Sequence, residues 1–259
     1  MIKLNISVSG KGPDLVLIHG WAMSSLVWKS WLIELEKEYT VYCVDLPGHG
    51  DCSYVKSWGM DDVLESLEDQ LPPKCHVLGW SLGGMVALAY ASRYPQRVER
   101  LIMLASSAKF VQSVDWSHAQ EVDTLEMFSV GLIENTALTI KRFLMLQAQG
   151  FERPKKTISL LKSLVAEAKP VQEEALISGL GLLKNTDLRE ELQIIRCPLL
   201  MLMGENDQLI PLEVGVDAQA INPDVKLNVV NGAAHAAFLS HQADVHRAVT
   251  KFLSSEADS

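Results

Sequence analysis

Ser81 is the residue whose type and surroundings point most directly to chemistry. It sits in Gly79-Trp80-Ser81-Leu82-Gly83, between the short apolar run Cys75-His76-Val77-Leu78 and a helix-forming stretch from Leu82 to Tyr94 that stops before Pro95. A serine caught between a buried strand and a helix occupies a sharp turn, and small residues two before and two after it let the backbone make that turn. This is the pattern of a nucleophile elbow, in which a serine hydroxyl is presented for attack on a carbonyl.

A serine hydroxyl is a weak nucleophile until a base takes its proton, and that base needs a third group to hold its tautomer. The chain has seven histidines. His76 falls inside a strand, His19 and His49 lie at a strand end and in the loop Pro47-Gly48-His49-Gly50, and His118 lies among later helices. His235 follows the last strand in Asn231-Gly232-Ala233-Ala234-His235, a loop of small residues suited to presenting a side chain. His241 is its rival, but Ser240-His241 reads as the start of the final helix. The orienting acid is expected after the strand Leu199–Met203, in Gly204-Glu205-Asn206-Asp207-Gln208, where the apolar Leu209-Ile210-Pro211 favours Asp207 over Glu205. Serine, acid, histidine is then the chain order. The oxyanion formed on attack needs two N–H donors. Position assigns them to the backbone of Leu82, where a helix begins, and of Trp21, after the strand Leu15–Ile18.

The elements that must hold these residues follow from the apolar pattern. Strand-length runs lie at Ile2–Val8, Leu15–Ile18, Val41–Val44, His76–Leu78, Leu101–Leu104, Leu199–Met203 and Leu227–Val230. Helical stretches fall between most of them: Val27–Lys37, Met60–Leu71, Leu82–Tyr94, Leu212–Ala220 and Ala243–Leu253. Alternation of this kind predicts an α/β fold, a mostly parallel sheet with helices on both faces. From about Lys109 to Arg189 the alternation gives way to consecutive helices, with Ala137–Gln149, Pro154–Ala168 and Val171–Leu183 the clearest. Such an insertion adds no strand, so residues 109–189 are expected to form a helical cap on a core made of 1–108 and 190–259.

Bulk properties narrow the function. The 259 residues are 48% hydrophobic and carry a formal net charge of −9, which argues against nucleic acid as a partner. No secretory leader and no membrane-length apolar run is visible, and the four cysteines are scattered, as suits reduced thiols in a cytoplasmic protein. Neither metal-ligand spacing nor a phosphate-binding glycine loop is present, so no cofactor is expected. Against the acidic background, residues 141–169 hold seven basic and two acidic side chains. Lys141, Arg142, Arg153, Lys155 and Lys156 are candidates for a patch that would steer an acidic partner, though lysines on a helix often do no more than face solvent.

The runs Leu17-Ile18-His19-Gly20-Trp21, Val44-Asp45-Leu46-Pro47-Gly48-His49-Gly50 and Leu78–Gly84 resemble the α/β-hydrolase superfamily. Arg142–Gln147, Leu183–Arg189 and Ala233–His241 are similar to the pimeloyl-acyl-carrier-protein methyl ester esterases of biotin synthesis within it. The resemblance runs from the first strand to the last helix. It implies a Ser81, Asp207, His235 triad and substrate contacts at Trp21, Ser81, Leu82, Phe143, Gln147 and His235. It also implies a carboxylesterase that needs no cofactor, acts on a pimeloyl methyl ester borne by an acyl-carrier protein, and retains some activity on small esters. Phe143 and Gln147 stand four apart and so can share a helix face, although an aromatic there could equally just pack the cap onto the core. Two departures stand out: Gly-His-Gly is followed by Asp51-Cys52 rather than Gly-x-Ser, and His241 by Gln242 rather than proline. A short-chain carboxylesterase or a C–C bond hydrolase on the same fold, or a slow ligand-binding homologue, are the alternatives; a dehalogenase would need aspartate at position 81. Nothing demands an oligomer, and a monomer is the expectation.

Overall fold

Four segments rich in Leu, Val, Ile and Met form the buried centre of the protein, because strands covered on both faces must be apolar on both. In the computed structural model, which describes residues 1–53, 57–151 and 154–255, these are β2 (Asp14–Ile18), β4 (Cys75–Trp80), β5 (Val98–Leu104) and β6 (Leu199–Gly204). With β1 (Asn5–Gly10), β3 (Thr40–Asp45) and β7 (Lys226–Val230) they make a seven-stranded sheet of order β1-β3-β2-β4-β5-β6-β7. Only β1 runs antiparallel, pairing Asn5 with Asp45 and Gly10 with Thr40. All seven expected strands are present. β1 starts three residues later than its apolar run suggested: Ile2 and Leu4 are buried in the core ahead of the ladder rather than paired in it.

Side chains alternate along each strand between two apolar layers. Val16, Ile18, Val77, Leu101, Met103, Met201 and Met203 point to the layer covered by α2 (Met60–Gln70), α3 (Leu82–Arg93), α7 (Arg189–Ile194) and α8 (Leu212–Ile221). Leu15, Leu17, Leu78, Trp80, Ile102, Leu104 and Leu202 point to the layer covered by α1 (Lys29–Leu35), α9 (Ala237–Ser240) and α10 (Gln242–Ser254). The helix expected over Val27–Lys37 is split, with a 3-10 turn at Ser25–Trp28 preceding α1.

Between β5 and β6 the chain is helical: α4 (Val122–Gln147), α5 (Pro154–Glu167) and α6 (Glu173–Asn185). The helix expected at Ala137–Gln149 is the second half of α4. Its first half, 122–134, falls within the stretch expected to be helical but without bounds of its own. Asn135 divides the two with φ −162° and ψ 88°, and its Oδ1 accepts from Leu138 N–H at 3.0 Å, so the second half begins with its own cap. Two ion pairs tie the end of α5 to the core: Lys29–Glu167 at 2.5 Å and Lys169–Asp51 at 2.6 Å. Asp51, the departure noted after Gly-His-Gly, is thus the core half of a bridge. The four cysteines are free; burial pushes the Cys43 and Cys75 thiols up to about 12, far from the reactive thiolate. Among the described residues no helix is long and apolar enough to cross a membrane.

Candidate active site

Strands β2, β4, β5, β6 and β7 all end on one side of the sheet, and the loops leaving them there carry the predicted residues. Ser81 lies between β4 and α3 with φ 55° and ψ −119°, a conformation that costs an L-residue roughly 1–3 kcal/mol. The sequence permits it by omission. A Cβ at Gly79 would run into the carbonyl of Gly83, one at Gly83 into the carbonyls of Ile18 and His19, and one at Gly84 into the side chain of Ser106. The Ser81 N–H donates to Leu104 O at 3.0 Å, tying the turn to β5. Ser81, Ala22 and Ala105 are the non-glycine residues with positive φ among those described, and they follow β4, β2 and β5: backbone strain is concentrated at this end of the sheet.

Asp207, after β6, is buried and uses both oxygens. Oδ1 accepts from the N–H groups of Leu209 (2.8 Å) and Ile210 (3.0 Å), and Oδ2 faces His235 Nδ1 at 2.9 Å. The apolar Leu209-Ile210 pair turns back into the core, as the sequence suggested, and its backbone orients the carboxylate. An acceptor at Nδ1 puts the proton of neutral His235 there and leaves Nε2 as a free base. That Nε2 is buried with no partner among the described residues. The backbone carbonyl of His235 accepts from Trp80 Nε1 at 3.0 Å, and the two rings lie 5.5 Å apart, so the residue before Ser81 holds the histidine loop in place.

The rival assignments separate cleanly. Glu205 is exposed and accepts from Gly232 N–H at 2.7 Å, stitching the Asp207 loop to the His235 loop rather than meeting the histidine. The His241 ring contacts Ser240 Oγ at 2.9 Å, at the surface where α10 begins. His19 and His49 are buried beside each other, 5.2 Å between rings. His19 accepts from Leu46 N–H and donates to Gly20 O, and His49 donates to Pro47 O. His118 pairs with Asp217 at 2.7 Å. His76 is buried in β4, its Nε2 3.5 Å from Glu99.

Gly20 packs against Ser81, placing the Gly20-Trp21-Ala22 turn over the elbow. The Trp21 indole donates to Leu176 O at 2.8 Å, and its ring meets Phe143 edge-on at 4.7 Å and Phe128 at 6.2 Å. Phe143 therefore does pack α4 onto the core, through Trp21 in the loop after β2. Gln147, four residues on, is 1% exposed and its Oε1 has no partner among the described residues. Phe128, Leu176 and Gly179, which close over Trp21, were not singled out from the sequence; they carry only the apolar or small character of any helix contact. Ser81, Asp207 and His235 are 3%, 3% and 1% exposed, so the constellation is closed beneath the helices.

A groove of about 880 Å³ runs alongside, between α4, the start of α5 and the loop after β6, lined by Thr139, Arg142, Met145, Pro154, Gln208 and Leu209 among others. Its apolar walls meet the Asp207 loop at Gln208 and Leu209. Of the basic candidates, Lys141, Arg142, Lys155 and Lys156 are exposed and form no ion pair among the described residues; Arg153 lies outside the described residues. Lys169 and Glu167 from the same run are engaged with the core. Among the described residues no cluster of three His, Cys, Asp or Glu side chains could hold a metal ion.

Comparison with known proteins agrees with this fold. A sequence model of the α/β hydrolase fold family matches residues 13–242. The chain is 36% identical over 240 residues to a pimeloyl-acyl-carrier-protein methyl ester esterase of Nitrosomonas europaea, covering 93% of this chain and 95% of that one. It is 38% identical over 244 residues to the protein of that name from Photobacterium profundum, covering 94% and 96%. Among solved structures, an esterase from Exiguobacterium antarcticum superposes with a TM-score of 0.88 at 21% identity, covering 98% and 96%. A bromoperoxidase from Bacillus anthracis superposes with a TM-score of 0.85 at 24% identity, over the same shares; at these identities the likeness is one of fold. The chain belongs to the α/β hydrolase fold family and, within it, to the family of the pimeloyl-acyl-carrier-protein methyl ester esterases.

Proposed function

We propose that the protein is a serine carboxylesterase that cleaves the methyl ester of a pimeloyl group carried on an acyl-carrier protein, releasing methanol and the free acid. The observation that carries the chemistry is the Asp207 carboxylate 2.9 Å from His235 Nδ1, with Nε2 left as an unpartnered base in the same buried end of the sheet as Ser81. In this reading His235 Nε2 takes the Ser81 hydroxyl proton as Oγ attacks the ester carbonyl. The N–H groups of Leu82 and Trp21 stabilise the oxyanion, and the dipole at the start of α3 adds to it. Collapse of the tetrahedral intermediate expels methoxide, which receives the proton from His235 and leaves as methanol. Water, deprotonated by the same histidine, then releases the acid from the acyl-enzyme. Asp207 holds the tautomer and stabilises the imidazolium. Trp21, Leu82, Phe143 and Gln147 would contact the acyl group.

The substrate assignment rests on the two relatives' shared name and near-complete coverage. The groove supports it: exposed Arg142 is among its lining residues, with exposed Lys141, Lys155 and Lys156 on the helices that form it, a setting for an acidic carrier whose acyl arm reaches inward. The deciding experiment is methanol release from the carrier-linked methyl ester by wild type and Ser81→Ala. Release that the substitution cuts by about six orders of magnitude, to background, supports the reading. No release, with Ser81-dependent cleavage of p-nitrophenyl butyrate, keeps the esterase and rejects the carrier-linked substrate.

A further inference from the structure

Resting on the proposed role of Ser81 as nucleophile, we infer that Ser106 is a positioning residue for it, clamping the strained turn from the neighbouring strand. Ser106 is 1% exposed, and its hydroxyl donates to the carbonyl of Ser81 at 2.6 Å. The Ser81 N–H is held by Leu104 O at 3.0 Å. The segment leaving β5 therefore grips both backbone polar groups of the one residue whose φ of 55° the strand-to-helix junction must sustain. Ala105, between the two gripping residues, has φ 44°, a second costly conformation, and it is what brings Leu104 O and Ser106 Oγ round to the same turn. Gly84 completes the fit, since any Cβ there would occupy the place of the Ser106 side chain. Helix formation alone does not require this bond, because Ser81 O already accepts from Gly84 N–H at 2.9 Å.

Two strained residues and a buried hydroxyl spent on one carbonyl are explained by a need to fix where Ser81 Oγ points. Attack geometry is steep in position: a displacement near 1 Å can cost about a hundredfold in rate. Ser106 touches no reacting atom. Its removal should loosen the turn and lower the chance that Oγ, His235 Nε2 and the ester carbon align, without altering the groove or the base.

The test compares Ser106→Ala with Ser107→Ala. Ser107 is an equally buried serine one residue on, whose hydroxyl bonds the Lys109 backbone and not Ser81. Steady-state cleavage of p-nitrophenyl butyrate and the rate of Ser81 labelling by a fluorophosphonate are measured on folded protein. We expect Ser106→Ala to lower kcat and the labelling rate together by about tenfold and to leave KM within twofold. Ser107→Ala should change the melting temperature without that loss. Equal kcat and labelling in the two variants would overturn the inference. If Ser106→Ala does not fold, Ser106→Cys, similar in volume with a much weaker donor, is read by the same criteria. Failure of the fluorophosphonate to label Ser81 in the wild type would instead reject the nucleophile assignment itself.

Discussion

At the scale of single residues, the constellation is defined by which hydrogen-bond roles are already taken. Asp207 Oδ1 is occupied by two backbone N–H groups, so only Oδ2 is available to set the histidine tautomer. In Asp207→Asn the side-chain oxygen should stay on those donors and turn the NH₂ toward His235. Nδ1 would then become the acceptor and Nε2 would carry the proton, leaving nothing to accept from Ser81. We expect kcat to fall by about four orders of magnitude with little change in KM, read by steady-state ester hydrolysis. Ser81, Asp207 and His235 were legible in the sequence because residue type, small neighbours and a place after a strand coincide at each. Ser106, the Glu205–Gly232 stitch and the Trp21–Leu176 bond were not. Each joins residues whose approach only the finished sheet decides, and a serine after a strand or an acid in a turn carries no local mark of it.

Among the elements, the strand-to-helix junction at β4 and α3 depends on what is missing from it. Gly83 lies against the carbonyls of Ile18 and His19, so Gly83→Ala should force backbone apart rather than a flexible side chain. An overpacking cost of about 3 kcal/mol is expected, lowering the melting temperature by roughly 6–12 °C in calorimetry. A substitution at Gly181, which has open space around it, is the control. The strands were readable because each is a short apolar run bounded by turn residues; the antiparallel direction of β1 was not, since apolar content says nothing of direction. The first half of α4 lacked bounds in the sequence for another reason. Its outer face carries Met127, Val130 and Ile133, all more than half exposed, so the apolar spacing that marks a packed helix is blurred. The break at Asn135 is invisible in composition.

Across the whole molecule, charge and burial make separate predictions. Exchanging Arg142 and Lys156 for glutamate should raise KM for the carrier-linked ester by about tenfold while sparing p-nitrophenyl butyrate, an effect that shrinks with added salt. Equal effects on both substrates would reject the docking role. Stability should depend on pH through the buried histidines. Burial, reinforced by the neighbouring His19, pushes the His49 imidazole down to about 3. An unfolded chain takes up that proton near pH 6.5, so below this value the unfolded state binds more protons and stability falls with falling pH, until both states are protonated near pH 3. Between pH 7 and 5 this one group should cost about 2 kcal/mol, with His19, also lowered by burial, acting in the same direction. His49→Asn, which keeps a donor for Pro47 O but cannot ionise, should flatten the dependence in denaturant titrations across that range.

The bond from Trp80 to the His235 carbonyl spans 155 residues of chain, as does that from Trp21 to Leu176. The order in which the protein is made therefore matters. A nascent chain that has emerged only as far as β5 carries Ser81 but neither the proposed acid nor the proposed base, and the two loops that will hold them, after β6 and after β7, have yet to be synthesised. On the proposed roles, catalytic competence cannot build up gradually during translation; it arrives only once β7 and His235 have emerged, when β7 joins the sheet edge beside β6. If Ser81, Asp207 and His235 act as proposed, a chain cut before His235 should be chemically inert, and no half-assembled esterase would present its nucleophile free of its cover.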